Sequence, residues 1–130
     1  MEPRRKAILC LCHDSSVLQV RSMLLEHFGY AVLSTSSVEG AKNMAEYECP
    51  DMLLIDNGEP GMDYERLAAQ VKQSCPGVIT VVLSPYFSVS RASSTASIDR
   101  FVAKDDGPDA LITEIQELFA EGGDSQLCPM

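Results

Sequence analysis

No stretch of this 130-residue sequence approaches the roughly 20 consecutive apolar residues that a membrane-spanning helix needs. Basic residues are scarce. The net charge is −9, and no basic run extends beyond Arg4-Arg5-Lys6, which argues against direct binding to nucleic acid or an anionic membrane. A secretory leader is not legible: those three cations are followed by only about six apolar residues before His13 and Asp14, short of an h-region. The chain therefore reads as cytosolic. Its five cysteines (Cys10, Cys12, Cys49, Cys75 and Cys128) are odd in number and lack framework spacing, so they are expected as reduced thiols. Repeats and a second domain are also absent.

What is present is ordinary globular material, 45% hydrophobic and long enough for one core. The central stretch is Asp51–Asp63. Four apolar residues, Met52 to Ile55, run without a break into Asp56, and a loop with Gly58, Pro60 and Gly61 follows. Such a run reads as a strand buried on both faces, hence part of a parallel sheet. Ligands and chemistry in such sheets gather beyond the carboxyl ends of the strands, where Asp56 stands as a candidate nucleophile or metal ligand.

The remaining elements alternate regularly. Strands are expected at Ala7–Cys12, Ala31–Ser34, Val78–Leu83 and Arg100–Lys104. A first helix follows Asp14 or Ser15 as N-cap, carries Val17, Val20, Leu24 and Phe28 as its stripe with Leu18 and Leu25 widening it, and stops at Gly29. A second is capped by Ser36 or Ser37, and a third spans Tyr64 to about Ser74. A short fourth helix is expected across 86–98. The last begins near Pro108 and presents Leu111, Ile112, Ile115, Leu118 and Phe119. Residues 1–6 read as a polar lead, 7–120 as one domain and 121–130 as a loose tail. The fold class is a three-layer α/β sandwich, flavodoxin-like, with a parallel five-stranded sheet of order 2-1-3-4-5.

In that order one rim receives Cys12, His13 and Asp14 from the first strand, Asp56 from the third, Ser84 from the fourth and Lys104 from the fifth. An acid, a hydroxyl and an ammonium converging on one point suit phosphoryl transfer: the carboxylate attacks phosphorus while the other two hold phosphoryl oxygens. Here the chain resembles the receiver domain of two-component response regulators, over nearly all of residues 7–119. Asp51–Asp63 looks like the phosphoacceptor segment, with Pro60, Met62 and Asp63 at the family's offsets from Asp56. Leu83-Ser84 and Phe101-Val102-Ala103-Lys104 look like the ends of its fourth and fifth strands. The resemblance implies that Asp56 accepts a phosphoryl group from a sensor histidine kinase, a phosphotransfer protein or a small phosphodonor. It implies Ser84 and Lys104 as phosphate contacts, Ser84 and Phe101 as switch residues, and a downstream protein partner on the face of the fourth helix, fifth strand and last helix. The implied role is signalling rather than metabolic catalysis.

Three departures stand beside this resemblance. The family's acidic pair after the first strand, which binds Mg²⁺ with the phosphoacceptor and a backbone carbonyl, is Cys12 and His13 here. Mg²⁺ wants hard oxygen ligands, whereas thiol and imidazole suit Zn²⁺ or another soft ion. The remaining donors are Asp56, the Gly58 carbonyl, Asp14 and His13, so Mg²⁺ binding is expected to be weakened or lost. A protonated His13 paired with Asp56 is a second way to supply the missing positive charge. After Lys104, Asp105 replaces the usual proline. The Ser84–Lys104 interval is about two residues short. These departures keep open an alternative: a pseudo-receiver, binding proteins without phosphorylation. A flavodoxin-type cofactor binder is disfavoured, because His13-Asp14-Ser15-Ser16 contains no glycine to cradle a phosphate.

Overall fold

The computed structural model describes residues 5–56, 63–84, 97–103 and 107–127, with Ser84 and 122–127 described by backbone alone. Five strands, β1 (Ala7–Leu11), β2 (Ala31–Thr35), β3 (Met52–Asp56), β4 (Ile79–Ser84) and β5 (Arg100–Ala103), form one parallel sheet in the order β2-β1-β3-β4-β5. This is the expected flavodoxin-like order. Four helices are described: α1 (Ser15–His27), α2 (Val38–Tyr47), α3 (Tyr64–Ser74) and α4 (Gly107–Leu127). The helix expected across 86–98 lies almost wholly outside the described residues.

Strand alternation divides the core into two layers. Ile8, Cys10, Met52, Leu54, Val81, Leu83 and Val102 face one side, where Leu18 and Leu25 of α1 and Leu111, Ile112, Ile115 and Leu118 of α4 cover them. Leu9, Leu11, Leu53, Ile55, Val82 and Phe101 face the other, against Ala41 and Ala45 of α2 and Leu67, Ala68 and Val71 of α3. Every residue of β3 is buried, as its unbroken apolar run requires.

The helix ends follow their local chemistry. Asp14 caps α1, Ser37 caps α2 and Asp63 caps α3, each accepting backbone N–H groups of the first turn. Gly29, at φ 95°, takes the left-handed conformation that ends α1. The expected face of α1 needs correction. Val17, Val20 and Phe28 are exposed, whereas Leu18 and Leu25 are buried. Helix α1 packs on the sheet along the 18–25 line, which buries these two leucines and turns the valines outward. A second correction concerns the cysteines: Cys49 and Cys75 form a disulfide with Cα atoms 5.5 Å apart, within the range a bridge permits. They are far apart in sequence, but the ends of α2 and α3 bring them together. Where a loose tail was expected from residue 121, helix α4 runs on past residue 120 to Leu127.

Candidate site at the carboxyl ends of the strands

Asp56 is the last residue of β3 and follows Met52 and Leu54 in facing the α1 layer. It is 2% exposed, one of two polar residues in the buried set of the described chain. A buried carboxylate needs a charge partner or several donors. Arg21 supplies one: its Nη1 donates to Asp56 Oδ2 at 2.9 Å, and its own side chain is 15% exposed. The reason lies in α1. Arg21 sits three residues after Leu18 and four before Leu25, on the same inward line as the two leucines. The helix therefore carries a guanidinium into the sheet with its apolar face.

Cys12, just past β1, adds a second donor. Its thiol lies 3.4 Å from Asp56 Oδ2 and 3.5 Å from the Asp14 carbonyl oxygen. Burial pushes the Cys12 thiol up from its ordinary range; the Asp14 carbonyl contact opposes that shift, and the charge of Asp56 adds to it. Cys12 is thus a neutral S–H donor at physiological pH, not a thiolate ligand. Cys10, deeper in the same layer, is pushed up to about 12, chiefly by burial.

The other rim residues divide clearly. Asp14 Oδ1 accepts from the N–H groups of Ser16 at 3.0 Å and Val17 at 3.3 Å, so its carboxylate serves the helix cap. His13 is exposed and makes no ion pair among the described residues; the guanidinium meets the carboxylate instead. In the β3–β4 register Asp56 lies beside Leu83, and in the β4–β5 register Ser84 lies beside Ala103. The backbone thus brings the Asp56 and Ser84 positions to one rim. The Ser84 side chain, Lys104 and Gly58 lie outside the described residues. Phe101 is buried in the opposite layer, edge-on to Tyr64 with ring centroids 6.1 Å apart.

The described donors do not fit Mg²⁺. One carboxylate, a protonated thiol and a guanidinium offer too few hard oxygens and already place a cation on Asp56. Among the described residues no three His, Cys, Asp or Glu side chains gather to hold any metal ion. Beside Arg21 an apolar cavity of about 440 Å³ opens between α1 and the start of α4, floored by Leu83 and Ala103.

Sequence reading missed Arg21. The signal was there: an arginine at spacing 3 and 4 between two leucines, on the helix that follows β1. It was hidden because the more numerous valines suggested a different inward line.

No family model and no curated relative matches the chain. Solved structures do. A CheY-like response regulator receiver domain from Methanospirillum hungatei superposes with a TM-score of 0.82 at 24% identity, covering 94% of this chain and 99% of that one. A chemotaxis protein from Vibrio cholerae gives 0.77 at 18% identity, covering 88% and 98%. A response regulator from Thermotoga maritima, crystallised in complex with Mg²⁺–BeF, gives 0.74 at 19% identity, covering 87% and 98%. The chain has the receiver-domain fold.

Proposed function

We propose that this protein is a receiver-fold signalling module that acts by binding a protein partner, with Arg21 holding Asp56 where a metal ion would otherwise stand. The observation that carries this reading is the 2.9 Å ion pair at a carboxylate only 2% exposed. Two things follow from it. A carboxylate lone pair already engaged by a guanidinium is a weaker nucleophile, and the positive charge that a divalent ion would bring is already present. In this reading Asp56 is structural, and the module works without phosphorylation. Exposed apolar residues on α1, Val20 at 68% and Met23 at 62%, support a protein-binding role. The face of β5 and α4 remains the other candidate contact, by fold analogy.

A second reading keeps Asp56 as a phosphoacceptor fed by a histidine kinase or phosphotransfer protein. The strand register favours it, because the Asp56 and Ser84 positions still share one rim and Lys104 directly follows Ala103. Intact-mass spectrometry after incubation with acetyl phosphate, with and without Mg²⁺, decides between them. The first reading expects no phosphoryl adduct in either condition. An adduct on the parent that is absent from Asp56→Asn establishes the second.

A further inference from the structure

The Cys49–Cys75 pair has no part in the reading above, and it lies at the opposite end of the sheet. Cys49 precedes the first residue of β3, whereas Asp56 ends that strand; Cys75 precedes β4 in the same way. We propose that Cys49 and Cys75 form a reversible thiol–disulfide site, opened by low-molecular-weight thiols and closed by low-molecular-weight disulfides, that clamps the end of α2 to the end of α3.

Three observations carry this. First, the backbone suits the oxidised state: the Cα atoms are 5.5 Å apart and the sulfurs are bonded. Second, the same backbone suits the reduced state. The Ser74 carbonyl oxygen lies 3.4 Å from Cys49 Sγ, and the Ala45 carbonyl oxygen lies 3.4 Å from Cys75 Sγ. Both carbonyls belong to final helical turns, where acceptors lack intrahelical donors. Each sulfur therefore has a carbonyl acceptor within reach, and a side-chain rotation that parts the sulfurs on reduction leaves both thiols partnered without a change of backbone. Third, access is asymmetric. Cys49 is exposed, while Cys75 is 4% exposed and packs in the α2–α3 layer. Among the described residues the free thiols, Cys10 and Cys12, are both buried, with pKa values raised by burial, so neither competes as a thiolate.

The chemistry is an exchange. The Cys49 thiolate attacks one sulfur of a disulfide RSSR, forming a mixed disulfide and expelling RS⁻. Cys75 loses its proton to solvent and attacks the Cys49 sulfur, expelling the second RS⁻. The two cysteines lose two electrons, and RSSR becomes two RSH. Closure makes a ring across a sequence separation of 26 that contains all of β3 and α3, so oxidation restrains the unit that carries Asp56.

The test uses the full chain, folded and carrying Cys128→Ser so that the fifth cysteine adds no mass of its own, in reduced and oxidised glutathione mixtures, read by native alkylation and intact mass. The parent should lose the mass of two hydrogens as the buffer is oxidised and regain it on return to reduced glutathione, without denaturant. Cys75→Ser should trap one glutathione at Cys49. Cys49→Ser should trap it at least about tenfold more slowly at the shielded Cys75. A pair that stays dithiol in oxidised glutathione overturns the proposal. So does a bond that opens only in denaturant, or equal trapping by the two variants.

Discussion

Replacing Arg21 with methionine should destabilise the protein far more than an ordinary surface change. At 2.9 Å and an effective dielectric of about 20, opposite unit charges attract by roughly 5–6 kcal/mol before desolvation is counted. Removing one partner of a buried pair typically costs about 3–5 kcal/mol, because the other charge is left in the interior. Asp56 keeps the Cys12 thiol as a donor, which places the expected loss near the lower end, about 3 kcal/mol. For a chain of this length the unfolding entropy is about 0.27 kcal/mol/K, so Tm should fall by roughly 11 °C. Asp56→Asn should cost less, about 1–2 kcal/mol, since Arg21 is partly exposed and can turn to water. The double variant should cost clearly less than the sum, with a coupling of about 2 kcal/mol. Urea unfolding followed by circular dichroism, at unchanged m, measures all four species. A loss below about 0.5 kcal/mol for Arg21→Met, or strict additivity, would refute the claim that the pair holds the site.

Three further outcomes follow from the same structure. Cys10 holds its proton to about pH 12 when folded but ionises near the ordinary thiol value of 9.0 when unfolded; its contribution is intact below pH 9 and should be lost at about 1.4 kcal/mol per pH unit above it, a slope that Cys10→Ala removes in urea titrations at alkaline pH. Thr80 is fully buried and its hydroxyl has no hydrogen-bond partner among the described residues, so Thr80→Val should stabilise by about 1 kcal/mol, raising the urea midpoint. On α1, Leu25→Ala should cost about 2–5 kcal/mol and Val20→Ala less than about 0.5 kcal/mol; equal effects in thermal melts would mean that the inward line of α1 has been assigned wrongly.

The sheet was legible because its signals are strong and local. Unbroken apolar runs at Ala7–Leu11 and Met52–Ile55, each followed by polar turn residues, fix two buried strands, and the interval between them holds α1, β2 and α2, with a helix for each crossover that parallel pairing needs. Asp56 stood out for the same reason: an acid ending a dry strand is chemically conspicuous. The site's partner was harder to read. Arg21 lies 35 positions away in sequence, and its role depends on which line of α1 faces the sheet, a choice that Val17, Val20 and Leu24 obscured. Asp14 was equally ambiguous. As a lone acid after β1 it suited a metal or a cap, and only the turn geometry shows it capping α1. The Cys49–Cys75 bridge was invisible for a different reason: it joins two helix ends whose proximity arises from the packing of α2 on α3.

The most direct test of the account is to observe the Arg21 guanidinium itself. The account predicts a distinct, slowly exchanging Arg21 side-chain NMR signal that survives millimolar Mg²⁺ unchanged and disappears in Asp56→Asn. A saturable shift or loss of that signal on adding Mg²⁺, accompanied by movement of the Asp56 amide, would show that a metal displaces the arginine and would contradict it.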